Sequence, residues 1–147
     1  MVSTFFLWLL LPGSLALAQT PRDAALIDAA ARGDNTAVQR LVKDGASVLA
    51  RDASGRTALL AAVQNNRIDL ARLLIGAGAN VNTQDNIQDS PYLLAGARGH
   101  LEILKMTLAA GADLKSTNRY GGTALTDRKS TRLNSSHPRL SRMPSSA

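Results

Sequence analysis

The sequence predicts an all-α solenoid of stacked helix-turn-helix units, and three observations predict it. First, the text repeats every 33 residues. Asp44-Gly45-Ala46-Ser47-Val48, Ala77-Gly78-Ala79-Asn80-Val81 and Ala110-Gly111-Ala112-Asp113-Leu114 stand at equal steps, as do Asp52, Asp85 and Asn118, and again Thr57, Ser90 and Thr123. Second, each period carries two apolar runs at helical spacing, the first opened by Ser or Thr and the second closed by Gly. Third, one such helix pair cannot bury its apolar stripe alone, so stability must come from neighbours, with about three units the usual minimum.

The elements follow in chain order. In the first unit (Thr20 to Arg51), Leu26, Ala29-Ala30 and Gly33 align with Leu59, Ala62-Val63 and Asn66 of the second. In the second (Asp52 to Gln84), Thr57 opens a helix carrying Leu59 and Ala62. Ile68, Leu70, Leu73, Leu74 and Ile75 form the second helix, which ends at Gly78. In the third (Asp85 to Thr117), Ser90 caps the first helix and Pro91 takes the first helical position, where its missing N–H costs nothing. Leu93, Leu94, Ala95 and Ala97 follow, and Gly99 ends that helix. Leu101, Ile103, Leu104 and Leu108 form the apolar side of the next helix, Glu102 and Lys105 face water, and Gly111 stops it in a left-handed cap. The small side chains of Ala62 and Ala95 allow neighbouring pairs to approach closely. Residues 118–126 open a fourth unit.

Both ends of the chain read differently. Residues 1–18 run through Phe5-Phe6-Leu7-Trp8-Leu9-Leu10-Leu11, break at Pro12-Gly13 and close with Ala16-Leu17-Ala18. The run is too short to span about 30 Å of hydrocarbon, and Ala-x-Ala suits a signal peptidase, so cleavage after Ala18 is expected. The alternative is an uncleaved N-terminal anchor that tethers the scaffold to a membrane, since the segment holds no Lys or Arg. Residues 127–147 resemble the conceptual translation of a short-read sequencing adapter. The adapter's frame gives Asp127 to His137 letter for letter, and its downstream part gives Ser141 to Ala147. That tail is set apart as an artefact, disordered and cutting off the fourth unit, so the natural protein is expected to be longer.

Of 147 residues, 17 are Lys or Arg and 11 Asp or Glu, a formal charge of +6. The tail supplies +4 of it, through Arg128, Lys129, Arg132, Arg139 and Arg142 against Asp127, which leaves +2 for residues 19–126. Nucleic-acid binding through a basic tail therefore loses its warrant. The absence of Cys excludes disulfides, thiolate nucleophiles and Cys-ligated zinc, and the two histidines are far apart. Gly76-Ala77-Gly78-Ala79-Asn80 closes a helix instead of opening one after a strand, so it reads as a cap and not as a dinucleotide loop. The carboxylates are spread evenly along the units, and no Ser lies in a nucleophile elbow. His100 is expected to be structural or to cap the second helix. No enzyme, cofactor or metal is expected.

Gly55-Arg56-Thr57-Ala58-Leu59, Leu73-Leu74-Ile75-Gly76-Ala77-Gly78-Ala79-Asn80-Val81-Asn82 and Gly99-His100-Leu101-Glu102-Ile103 resemble the ankyrin repeat. That family's pattern is T-P-L-H-x-A-A, then G-H, then L-L-x-x-G-A-x-V-N. The pattern's His falls on Leu60 and Leu93, its Pro on Ala58 and Ala124, and its hairpin Gly on Gln88. The resemblance implies an ankyrin-repeat α-solenoid and a non-catalytic protein-protein interaction module. Binding is implied through the concave surface of hairpin tips and first-helix faces. The matching positions are Arg32, Ala53, Ser54, Arg56, Gln64, Asn65, Asn86, Ile87, Asp89, Arg98, Arg119 and Tyr120, with Ala31, Ala97 and Gly122 beside them. Arg and aromatic side chains are enriched at interfaces. With the signal-like segment, the chain reads as an exported bacterial protein, periplasmic or secreted, whose partner is a protein, without nucleic acid, metal or stable membrane insertion after cleavage. Without a following unit, Leu93, Leu104, Met106 and Leu108 are expected to stay wet, leaving the chain marginally stable or self-associating.

Overall fold

Among the described residues six helices alternate between an inner and an outer row. The computed structural model describes residues 20–126; the signal-peptide reading of 1–18 and the adapter reading of 127–147 fall outside the described residues. Helix α1 (Pro21–Arg32) is opened by Thr20 and Asp23 in a reciprocal capping box, with Asp23 N–H donating to Thr20 Oγ1 at 3.2 Å and Thr20 N–H to Asp23 Oδ2 at 3.1 Å. Helix α2 (Asn35–Lys43) is capped by Asp34, which accepts from Ala37 N–H at 2.9 Å. Thr57 caps α3 (Ala58–Gln64) and Ser90 caps α5 (Pro91–Arg98), each hydroxyl accepting an N–H three residues on at 3.2 Å. Helices α4 (Ile68–Gly76) and α6 (Leu101–Ala109) complete the second and third pairs. Residues 124–126 add one helical turn, and no strand occurs among the described residues.

The outer helices share one ending. Gly45, Gly78 and Gly111 hold φ of 90°, 96° and 89°, two residues past α2, α4 and α6. Their N–H groups donate to Val42, Ile75 and Leu108, and the next N–H, on Ala46, Ala79 or Ala112, reaches back to Leu41, Leu74 or Thr107. This is a Schellman motif three times over, and the left-handed residue is glycine because a Cβ penalises that conformation.

Inner helices α1, α3 and α5 pack side by side, as do outer helices α2, α4 and α6, and each pair packs internally. Between them Leu26, Val38, Leu59, Leu70, Leu74 and Ile103 are fully buried. Ala29, Ala30, Ala58, Ala61, Ala62 and Ala95 are buried at the inner-helix contacts. A second small cluster joins Tyr92, Leu93 and Ala124. It corrects the expectation for Leu93, which is not wet: the final helical turn covers it. That turn comes close because Gly96 has no side chain; a Cβ there would stand 2.3 Å from Ala124 Cβ. Leu104 and Met106 are half-buried, whereas Leu108 remains 42% exposed.

Of the two roles expected of His100, structural or capping, the structure removes the second. His100 occupies the N-cap position of α6 but makes no side-chain cap bond, and its Nε2 is buried without a hydrogen-bond partner. The imidazole does not do here what the short side chains of Asp34, Thr57 and Ser90 do at their helices.

Candidate functional site

Each hairpin linking an outer helix to the next inner helix is built by one side chain. Asp52 Oδ1 accepts from Ser54 N–H and Arg56 N–H, both at 2.9 Å. Asp85 Oδ1 accepts from Ile87 N–H at 3.0 Å and Asp89 N–H at 2.9 Å. Asn118 Oδ1 accepts from Tyr120 and Gly122 N–H, both at 3.0 Å. In all three the backbone also closes from the first residue to the fifth. Short Asx side chains bond readily to N–H groups a few residues on, which explains why only Asp or Asn stands at this step of the repeat. The device fixes Ser54, Ile87 and Tyr120 at equivalent places in successive tips.

Neighbouring hairpins are then joined. Asn86 N–H donates to Ser54 O, and its side-chain amide to Ala53 O, both at 3.0 Å. One helix row inward, the Asn65 amide donates to Ala31 O at 3.2 Å and Ala61 O at 3.1 Å. Arg98 Nη1 donates to Gln64 O at 3.3 Å. Asn65 and Asn86 thus help hold the stack, although both are exposed.

Between the first and second of these hairpins and the faces of α3 and α5 lies an open groove of about 250 Å³. Of the twelve residues matched above, Ser54, Arg56, Gln64, Ile87, Asp89 and Arg98 line it, together with Leu60, Asp85 and Leu94. Arg32, Ala53, Asn65, Asn86, Arg119 and Tyr120 do not. Arg32 pairs with Asp28 on the exposed side of α1. Arg119 lies over the Tyr120 ring at 5.1 Å, and Tyr120 is 78% exposed at the third tip. Sequence reasoning named Leu94 only in the apolar run of its helix and Leu60 only as the residue in the place of the family pattern's His, and assigned neither to the surface. The signal that finds them is helical spacing, because Leu60 and Gln64, and Leu94 and Arg98, are four residues apart and share a face.

Charges alternate across the groove: Arg56 Nε meets Asp52 Oδ2 at 3.0 Å and Arg56 Nη1 meets Gln64 Oε1 at 3.3 Å, while Asp85 and Asp89 stand on the opposite hairpin. Among the described residues no cluster of His, Cys, Asp or Glu suits a metal, and no helix is long and apolar enough to cross a membrane. The groove offers guanidinium, amide and apolar contacts at its surface.

The family model for ankyrin repeats, described as three copies, matches residues 4–85. The chain is 49% identical to a crystallised ankyrin repeat domain from Acinetobacter baumannii AYE, with a TM-score of 0.69, covering 79% of this chain and 60% of that one. It is 31% identical over 112 residues to YahD of Escherichia coli (strain K12), named for its ankyrin repeats, covering 76% of this chain and 55% of YahD. It is 33% identical over 94 residues to inversin of Danio rerio, covering 63% of this chain and 9% of inversin. The chain therefore spans little more than half of YahD and a small part of inversin. Ankyrin repeats are generally protein-protein interaction modules, and their fold is typically non-enzymatic. With its 33-residue period, its three stacked helix pairs and these relatives, the chain belongs to the ankyrin-repeat family.

Proposed function

We propose that this chain is a non-catalytic protein-binding module of an exported ankyrin-repeat protein, and that it grips its partner through the hairpin tips and the groove below them. The observation that carries the reading is the rigid presentation of Ile87 and Tyr120. Both are exposed, both project from tips fixed by an Asx side chain, and neither contributes to the core clusters. Hydrophobic side chains held outward beside arginines suit an interface anchor.

A photo-crosslinking residue placed at Ile87, and separately at Lys105 on the outer helix α6, tests this. Labelling of one protein from position 87 and not from 105, abolished by Tyr120→Asp, is the expected result. Equal labelling from both faces overturns it.

Export rests on the apolar run and Ala16-Leu17-Ala18 in the sequence. Retention of the N-terminal segment as a tether is a second reading, favoured by the absence of Lys and Arg from residues 1–18. Sequencing the N-terminus of the mature protein decides between them, since Gln19 in first place means cleavage.

A further inference from the structure

The two ends of the helix stack differ in what they show to water. Leu108, Leu114 and Leu125 stand one period after Ile75, Val81 and Tyr92, and all three are exposed, whereas Val81 and Tyr92 are buried. At the opposite end α1 and α2 expose Ala24, Asp28, Gln39 and Arg40, and among the described residues no large apolar side chain before Leu49 is exposed. The residues that follow in the sequence do not continue the apolar pattern. The 33-residue step that sets Ala62 and Ala95 in the core reaches Arg128, and the step that sets Leu70 and Ile103 there reaches Ser136. Charges flank the apolar end in a self-complementary order. Asp113 and Lys115 stand on either side of Leu114 in one tight turn, closed by Ser116 N–H donating to the Asp113 carbonyl at 3.2 Å. Both are exposed, and neither forms an ion pair among the described residues. The Asp113 carboxylate accepts the Lys115 N–H at 2.9 Å, a bond that holds it in place and leaves it charged. Arg119, the next cation along the chain, lies against the Tyr120 ring.

We propose that this end takes a second copy of the chain, third repeat against third repeat, about a two-fold axis. The leucines of one copy then meet those of the other, whereas stacking in head-to-tail order sets them against a polar end. The axis passes beside Leu114, so that Asp113 of each copy faces Lys115 of the other and both flanking charges gain a partner. A two-fold contact uses the same patch on both copies and closes on itself, so association stops at a dimer. None of the residues that line the groove belongs to this patch, and the proposal stands apart from the protein-binding reading above.

Sedimentation velocity of the full chain over a range of concentrations tests it. The mass is expected to rise with concentration and to level off at two copies. Asp113→Lys and Lys115→Asp each turn both cross-pairs into like charges, and each should raise the dissociation constant of the dimer by about tenfold at low salt. The double variant Asp113→Lys/Lys115→Asp restores opposite charges across the two-fold axis and should recover dimerisation. Because it too lacks the Asp113 turn bond, its recovery cannot come from the fold of the turn. A mass that climbs past two copies overturns the closed arrangement, and a double variant as weak as the single ones overturns the charge pairing. A dimer that persists in Leu114→Lys/Leu125→Lys assigns association to another surface and overturns the proposal. A monomer at every concentration also overturns it, and leaves this end to a different protein or to further repeats.

Discussion

Arg51 and Gln84, one repeat apart, perform the same task with different chemistry. Arg51 Nε donates to the Gly55 carbonyl at 3.0 Å and its Nη2 to the Gln84 carbonyl; Gln84 Nε2 donates to the Gln88 carbonyl at 2.8 Å and the Thr117 carbonyl at 3.0 Å. Each side chain closes its own hairpin four residues on and ties it to the following repeat 33 residues on. Gln84→Ala removes a donor to two carbonyls and is expected to cost about 1–2 kcal/mol, read as a lower urea midpoint. Gln84→Arg, which imports the solution used at position 51, should restore most of that. A midpoint unchanged by Gln84→Ala shows that water replaces the bridge at no cost.

Gln88 supports a prediction of opposite sign. It holds φ of 64°, where the equivalent hairpin positions are Gly55 at 75° and Gly121 at 73°. A left-handed non-glycine residue costs about 1–2 kcal/mol, partly offset by the chain entropy that glycine loses on folding. Gln88→Gly is therefore expected to stabilise the fold by about 0.5–1 kcal/mol. Gly55→Gln should destabilise by more, because a Cβ on Gly55 would lie 2.6 Å from Asn86 Oδ1 and 2.9 Å from Arg51 Nη2. Thermal midpoints of the two variants check both signs.

How much of this was legible in the sequence depends on whether the signal was periodic. The period, the caps at Thr57 and Ser90, and the glycines after the outer helices repeat every 33 residues, so the helix pairs and their stacking could be read directly. The equal steps of Asp52, Asp85 and Asn118 were also visible, but not their work, because an Asx turn looks like any loop acid until its N–H partners are placed. Half of the anticipated surface residues reach one groove. The others either hold neighbouring repeats together, as Asn65 and Asn86 do, or sit apart, as Arg32, Arg119 and Tyr120 do. A linear pattern fixes which face a residue occupies, and the curvature of the stack decides what it meets there.

Gly96 tests the packing of the last helical turn. In an isolated helix, Gly→Ala gains about 1 kcal/mol of propensity. Here the added methyl would meet Ala124 Cβ at 2.3 Å and its carbonyl oxygen at 2.6 Å. Gly96→Ala is expected to destabilise by about 1–3 kcal/mol and to expose Leu93 and Tyr92. Ala124→Gly in that background should recover part of the loss. A stabilised single variant would mean that residues 118–126 do not pack on α5.

The same end of the solenoid predicts self-association. Leu125 is 71% exposed, although the matching Leu59 and Tyr92 are buried, and Leu114 is 62% exposed against 3% for the matching Val81. The polar opposite end places Asp28 and Arg32 on α1. Sedimentation of the chain should show a mass that rises with concentration, and Leu114→Lys/Leu125→Lys should abolish the rise. A monomer with a sharp cooperative melt at all concentrations contradicts this.

His100 gives the fold a pH dependence whose sign is fixed. Burial, and then the positive charge of Arg98, pull its pKa below the ordinary value of about 6.5. The unfolded chain consequently binds the proton more readily than the folded one, and stability rises with pH across the interval between the two pKa values. The contribution is complete above about pH 6.5 and is lost as pH falls through the folded-state pKa. Asp23 acts in a lower window. Burial raises its pKa, but the Ser47 N–H at 2.7 Å and the bonds to Thr20 outweigh that and lower it, so its contribution is lost only below about pH 3.8. Urea midpoints should therefore decline on moving from about pH 7 to about pH 5, and His100→Asn should flatten that decline while leaving the drop at lower pH in place. An undiminished slope in the variant would assign the titration to another group.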